Sequence, residues 1–150
     1  MQACGPGVER LAEEVLQRFP EARFGVFSSD TVASPGSAET FVSSVMAGEV
    51  DIIIGTQMVA KGHHFPNLTL VGIVDADLGL AGGDLRAAER SFQMLAQVAG
   101  RAGRAERPGL AMLQTVEADN AVMQALLSGN RDAFLKSESE ARRLAAMPPY

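Results

Sequence analysis

The chain has 150 residues, 47% of them hydrophobic and 21% charged, the proportions of one globular domain with enough apolar surface to form a core. No apolar run is long enough to span a bilayer, no basic-then-apolar leader marks a secretory signal, and the single Cys4 excludes an internal disulfide or a multi-cysteine zinc site. The net charge of −5 argues against a non-specific nucleic-acid glue.

That charge is uneven. Residues 1–56 carry three arginines and eight acidic side chains, while residues 57–150 balance ten against ten. An anion site therefore belongs to the second part and has to be local, built from a few placed residues. The lone thiol suits a reducing cytoplasm.

In chain order, Val8, Leu11, Ala12, Val15, Leu16 and Phe19 recur at helical spacing until Pro20. Arg23 to Phe27 is a short β-like run, and residues 28–37, with Asp30, Pro35 and Gly36, read as a loop. Ala38, Phe41, Val42, Val45 and Met46 predict a second amphipathic helix closed by Gly48. Asp51 to Gly55 is a strand apolar on both faces, as in a parallel sheet covered by helices. Leu68 to Val74 is another, ending at Asp75. Leu85, Ala88, Phe92, Leu95, Ala96 and Ala99 predict a third helix, and Leu110 to Val116 a strand. Two helices follow, over 119–128 and 130–146; their apolar face of Val122, Leu126, Leu127, Phe134 and Leu135 is read as core, with a partner-binding face as the alternative. The alternation implies a three-layer α/β domain with a mostly parallel sheet, in which ligands sit at the carboxyl ends of strands.

Two polar clusters stand out. Gln97-Val98-Ala99-Gly100-Arg101-Ala102-Gly103-Arg104 sets two arginines three apart among small residues at the end of a helix. Glycine permits close approach, and the guanidinium is a permanently charged fork suited to phosphate. The same string also suits a solvated basic end at the negative pole of a helix. The second cluster, Gly55-Thr56-Gln57 through Lys61-Gly62-His63-His64-Phe65-Pro66, issues from a wholly apolar strand. Thr56 and Gln57 can donate to phosphate or sugar oxygens, although a polar surface turn would look alike. Adjacent His63 and His64, with no third ligand beside them, do not make a metal site.

Asp75 and Asp77 are expected to cap the turn after their strand and to orient Arg101 or Arg86; acid–base or metal roles are the alternative. Arg86, Glu89 and Arg90, at helical spacing, read as a solvated or ion-paired face.

The strings GTQMVAKGHHFPNLTLVGIVDAD (55–77) and QVAGRAGRA (97–105) resemble motifs V and VI of superfamily 2 helicases. Together with GPGVERLAEEV (5–15) and DLRAAERSFQMLAQ (84–97), they resemble more narrowly the primosomal N-prime helicases, which restart stalled replication forks. The resemblance covers nearly the whole chain. It implies a second RecA-like motor lobe, residues 1–150, from a larger ATP-dependent 3′–5′ DNA helicase, inactive by itself. No G-x-x-x-x-G-K-[ST] loop and no Asp-Glu-x-His box occur here. The resemblance assigns those to a first lobe upstream, with zinc-binding cysteines also upstream and a C-terminal domain expected beyond the Met147-Pro148-Pro149-Tyr150 end.

By the same resemblance, Arg104 is the arginine finger, Arg101 its companion, and Gln97 the link between the nucleotide cleft and motif V. Gly55, Thr56 and Gln57 would contact the backbone of the tracked DNA strand. Lys61, Gly62 and His64 would turn toward the nucleotide, ATP with Mg2+ shared with the first lobe. Many superfamily members carry aspartate where His64 stands, and the primosomal group carries histidine. Val8 departs from a threonine frequent in the family. Implied partners are forked or single-stranded DNA, the first lobe and other primosome proteins, with no membrane. The readings left beside this one are another superfamily 2 translocase of branch migration or repair, a small-ligand α/β enzyme, and a non-catalytic interaction module.

Overall fold

The computed structural model describes residues 7–28, 35–56, 65–80, 84, 86–103 and 108–149. Within them the order is α1 (Val8–Arg18), β1 (Phe24–Phe27), α2 (Pro35–Met46), β2 (Ile52–Gly55), β3 (Leu70–Ile73), α3 (Ala87–Ala99), β4 (Leu110–Leu113), α4 (Ala121–Ser128) and α5 (Arg131–Leu144). This is the expected α/β alternation. β1 and β2 pair in parallel, Phe24 opposite Ile52 and Phe27 opposite Gly55. β3 and β4 form a second pair. The Thr69 and Ile73 carbonyls accept from the N–H groups of Leu110 and Gln114, each at 2.9 Å. Both strands thus advance in the same direction, the parallel pattern. Among the described residues the strands are joined two by two.

The chain forms two compact units, Met1–Val71 with Gly100–Ala111, and Gly72–Ala99 with Met112–Tyr150. In the first, α1 packs on β1 and β2. Val8, Leu11, Ala12 and Val15 are half-buried, but Leu16 and Phe19 are exposed, so the apolar face is narrower than the periodicity predicts. Phe27 and Ile54 are both buried, and in this register they stand on opposite faces of the strand pair. The ring of Phe41 on α2 lies 5.1 Å from that of Phe27, tilted by 54°. It also covers Gly25, where a Cβ would stand only 2.5 Å from Phe41 Cε2. Helix α2 begins at Pro35, inside the expected loop. Proline is tolerated in a first turn because that N–H has no acceptor within the helix. Gly48, at φ 73°, ends α2 as expected.

A polar clamp holds the entry to β1 and β2. Arg23 donates from Nε and Nη2 to the two oxygens of Asp51, at 2.9 and 2.7 Å, and from its backbone N–H at 2.9 Å. In return the Arg23 carbonyl accepts from the N–H groups of Asp51 and Ile52. The Arg23 guanidinium and N–H hold the Asp51 carboxyl down at about 2, against an ordinary 3.8.

In the second unit the core comprises Ala76, Phe92, Leu95, Val122, Met123, Ala125 and Phe134, with Ile73, Leu113, Leu126 and Leu135 packed around it. Phe92 of α3 stacks on Phe134 of α5, centroids 4.5 Å apart and planes at 19°. Burying side chains of this size contributes about 1.5–3 kcal/mol each. The expected apolar face of the last helices is core, except Leu127, which is 74% exposed. It shares the helical stripe but lies past the edge of the neighbouring helices' cover. Side-chain caps set both helix starts. Asn120 accepts from Val122 N–H and Asn130 from Ala133 N–H, each at 3.0 Å. Gly129, at φ 64°, closes α4.

The expected polar face of α3 is ion-paired, with partners other than its own helical neighbours. Arg90 meets Asp84 at 2.6 Å, and Glu89 meets Arg142 at 3.0 Å. Arg142 also holds Glu138 of its own helix at 3.1 Å, so it ties α5 to α3.

Asp75, at φ 56°, starts the turn after β3, and its carbonyl accepts from Leu78 N–H at 3.2 Å. Short acidic side chains tolerate that backbone region. The expected turn is therefore present. The Asp77 carboxylate accepts from the Thr115 hydroxyl at 2.6 Å and the Val116 N–H at 2.8 Å. These bonds hold it below the usual carboxylate range, the Thr115 hydroxyl foremost. They also explain why β4 stops at Leu113 rather than at Val116: Thr115 and Val116 turn to the carboxylate instead of continuing the ladder, and Val116 is left 92% exposed.

The Asp51 carboxyl is depressed in the folded chain, so its contribution is present above an ordinary carboxyl's range and lost as pH falls from 3.8 through about 2. Comparing thermal unfolding of Asp51→Asn with the unmodified chain across pH should show a deficit in the variant near neutrality that closes toward pH 2. A deficit independent of pH would mean that the clamp acts through shape and not charge.

Candidate functional site

The polar cluster of residues 55–66 begins where β2 ends. Ile54 is buried and locks the strand, while Gly55 and Thr56 leave it exposed at its carboxyl end. Because β1 runs parallel and Phe27 pairs with Gly55, the carboxyl ends of both strands share that edge. This is the position at which parallel α/β sheets present loops to ligands. Gln57, Lys61, Gly62, His63 and His64 lie outside the described residues. The chain is described again at Phe65, which is only 4% exposed and whose carbonyl accepts from Leu68 N–H at 3.2 Å. An apolar anchor thus stands at each flank of the cluster, Ile54 before it and Phe65 after it.

The arginine cluster of residues 97–104 begins on the last turn of α3. Gln97 is exposed on that helix, and Arg101 is half-buried in the turn beyond it; Arg104 lies outside the described residues. Gly103 has φ 72°. Its N–H donates to the Leu68 carbonyl at 3.1 Å, and one step along, Leu110 N–H donates to the Thr69 carbonyl at 2.9 Å. The turn is thereby fastened to the entry of β3. A second restraint is steric. A Cβ on Gly103 would run into the backbone N and Cα of Gly109, and one on Gly109 would run into the backbone of Ala102 and Gly103. Two glycines facing each other allow this approach, and no other residue pair would.

Gly55, Thr56, Asp75 and Asp77 stand at carboxyl strand ends. The arginine turn, which follows a helix as expected, instead meets Leu68 and Thr69 just before β3 and precedes β4. The reason is topological. In a parallel pair the connecting helix returns the chain from the carboxyl end of one strand to the amino end of the next. The end of α3 therefore delivers Arg101 at the amino ends.

Gly55, Thr56 and Arg101 thus belong to one compact unit, and Gln97 to the other. Sequence reasoning missed Gly109 and the carbonyl of Leu68. The Pro108-Gly109 pair carries a turn signal, but nothing in it points to Gly103. Among the described residues no group of three or more His, Cys, Asp or Glu side chains could hold a metal ion. None of their helices is long and apolar enough to cross a membrane.

The helicase conserved C-terminal domain matches residues 8–106. Over 147 residues, 98% of this chain, the sequence is 48% identical to the replication restart protein PriA of Rickettsia conorii and covers 23% of that protein. The PriA of Bacillus subtilis is 41% identical over 97% of this chain, covering 18% of its own length. That of Chlamydia trachomatis is 39% identical over the whole chain, covering 20% of its own. The chain spans about a fifth of the length of the curated relatives it matches.

Gly103→Ala adds a methyl group against the Gly109 backbone at a positive φ. Overpacking costs about 1–3 kcal/mol and the left-handed backbone roughly 1–2 more. Denaturant unfolding should show a loss of at least about 2 kcal/mol. Gly36→Ala, with nothing within 4 Å of the added atom, should show none.

Proposed function

The chain belongs to the helicase conserved C-terminal domain family, and on that premise we propose that it is the second RecA-like lobe of an ATP-dependent 3′–5′ DNA helicase that restarts replication forks and assembles the primosome. The observation that carries this reading is the joint presence of the 55–66 and 97–104 strings inside the matched region, in a chain 39–48% identical to PriA proteins over nearly all of its length.

The proposed division of labour carries the helicase resemblance onto the matching residues of this chain. Arg101 and Arg104 face the γ-phosphate of an ATP held, with Mg2+, mainly by the first lobe. Their guanidiniums neutralise charge on the phosphoryl group as its bond to the leaving oxygen breaks, an effect worth about 10³–10⁵ in rate where a motor depends on it. Lys61, Gly62 and His64 complete the nucleotide side. Gly55, Thr56 and Gln57 take the phosphate backbone of one DNA strand through backbone N–H, hydroxyl and amide donors, so the grip is tolerant of sequence and sensitive to salt. Gln97 relays between the two. Closure of the lobes on ATP moves the DNA grip, and hydrolysis releases it by removing the charge that the arginines hold. The zinc-binding cysteines and the phosphate loop belong to other parts of the parent protein, which acts in the cytoplasm with forked or single-stranded DNA and with other primosome proteins.

A lobe that supplies only half of a nucleotide site does not turn ATP over alone. The purified 150-residue chain, shown by far-UV circular dichroism to be folded, should have no ATPase activity above background with or without single-stranded DNA, while the full-length protein should be stimulated by DNA. DNA-stimulated hydrolysis by the chain alone would contradict the half-site reading.

A further inference from the structure

Gly109 belongs to no motif assigned above, yet it is built into the arginine turn. Its backbone lies against that of Gly103, two residues after Arg101, so closely that neither residue can carry a side chain. The contact is not an isolated touch. On one side of it Gly103 N–H is bonded to the Leu68 carbonyl, and on the other Leu110 N–H is bonded to the Thr69 carbonyl. Consecutive carbonyls at the entry of β3 thus hold both walls of the contact, one through Gly103 and one through the residue after Gly109. The separation of those walls is then set by what stands between them, which is the absence of two Cβ atoms. Arg101 projects from the first wall and is half-buried, so a shift of that wall carries its guanidinium along.

We infer that Gly109 is a positioning residue for Arg101: by leaving room for Gly103, it fixes where the arginine turn lies on the entry of β3. This rests on the reading of Arg101 as an arginine directed at the nucleotide. A methyl group at residue 109 pushes on Ala102 and Gly103 and displaces the turn. Misplacing a catalytic group by about 1 Å can cost roughly 10²-fold in rate. The loss falls on turnover, because the DNA-contacting residues Gly55 and Thr56 are not in that contact.

The test is a double-mutant cycle in the full-length protein, read as DNA-stimulated ATPase with kcat and KM separated, alongside single-stranded DNA affinity. Gly109→Ala is expected to lower kcat by about 10²-fold with DNA affinity unchanged. In an Arg101→Ala background the same change should cost less than it does with Arg101 present, and in an Arg101→Ala/Arg104→Ala background, where neither arginine of the turn is left to misplace, less than about threefold. Pro108→Gly loosens the same wall without adding an atom, and keeps the cycle readable if Gly109→Ala does not fold. It should lower kcat severalfold, and by less when Arg101 is absent. Equal losses with and without Arg101 would overturn the inference, leaving Gly109 a purely structural residue. Unchanged turnover in Gly109→Ala and Pro108→Gly would overturn it as well. Unchanged turnover in Arg101→Ala itself would instead overturn the nucleotide reading of that arginine, and with it the inference.

Discussion

Parallel pairing is the constraint from which the placement of both polar clusters follows. Parallel neighbours cannot be joined by a tight turn, so each strand must hand the chain to a crossover that brings it back to the opposite edge. For β1 and β2, in register from Phe24 opposite Ile52 to Phe27 opposite Gly55, this places the exit at Thr56 on a carboxyl edge. For β3 and β4 the same rule sends α3 out from one edge and returns Arg101 at the other, where Leu68 and Thr69 receive it. The two clusters are close relatives in sequence character and opposite in position on their strands.

Polar clamps then fix what apolar burial leaves free. Burial of Phe27 and Ile54 holds the carboxyl end of the first strand pair but says little about where the strands begin. The bidentate Arg23–Asp51 pair, closed by reciprocal backbone bonds, supplies that start. In the other unit Asp77 ends β4 by drawing Thr115 and Val116 away from the ladder, and Arg142 joins α5 to α3 through Glu89. These charged groups are largely solvent-exposed or only partly buried, so their role is to choose register and boundary, while stacked Phe92 and Phe134 and their neighbours carry the burial.

What could be read from sequence was local. The apolar run Ile52–Ile54, the stop at Gly48 and the helical stripes around Phe92 and Phe134 follow from patterns a few residues long, and the structure contains them. The Thr115–Asp77 bond joins residues 38 apart in sequence, and no spacing rule reaches that far. Glu89 was legible as an ion-pairing residue, but its partner on α5 was not, because helical spacing offers Arg86 first. Leu127 matched the stripe of its helix and still lies in solvent, since a stripe does not say how wide its cover is. Of the site, the residue types at Thr56 and Arg101 were legible. The glycine contact that sets the arginine turn was not, because a glycine records only that something comes close, never what. Gln57, Lys61, Gly62, His64 and Arg104 are assigned from sequence alone.

The proposed role of this lobe is to supply an arginine to a nucleotide held elsewhere. Its most direct test is the DNA-stimulated ATPase of the full-length protein carrying Arg104→Ala, beside the unmodified form, with ATP binding and thermal unfolding measured on both. The account predicts that turnover falls by about 10³ or more while binding and folding persist. Turnover that barely changes would contradict it, and would return the arginines of the 97–104 string to a structural or DNA-facing role.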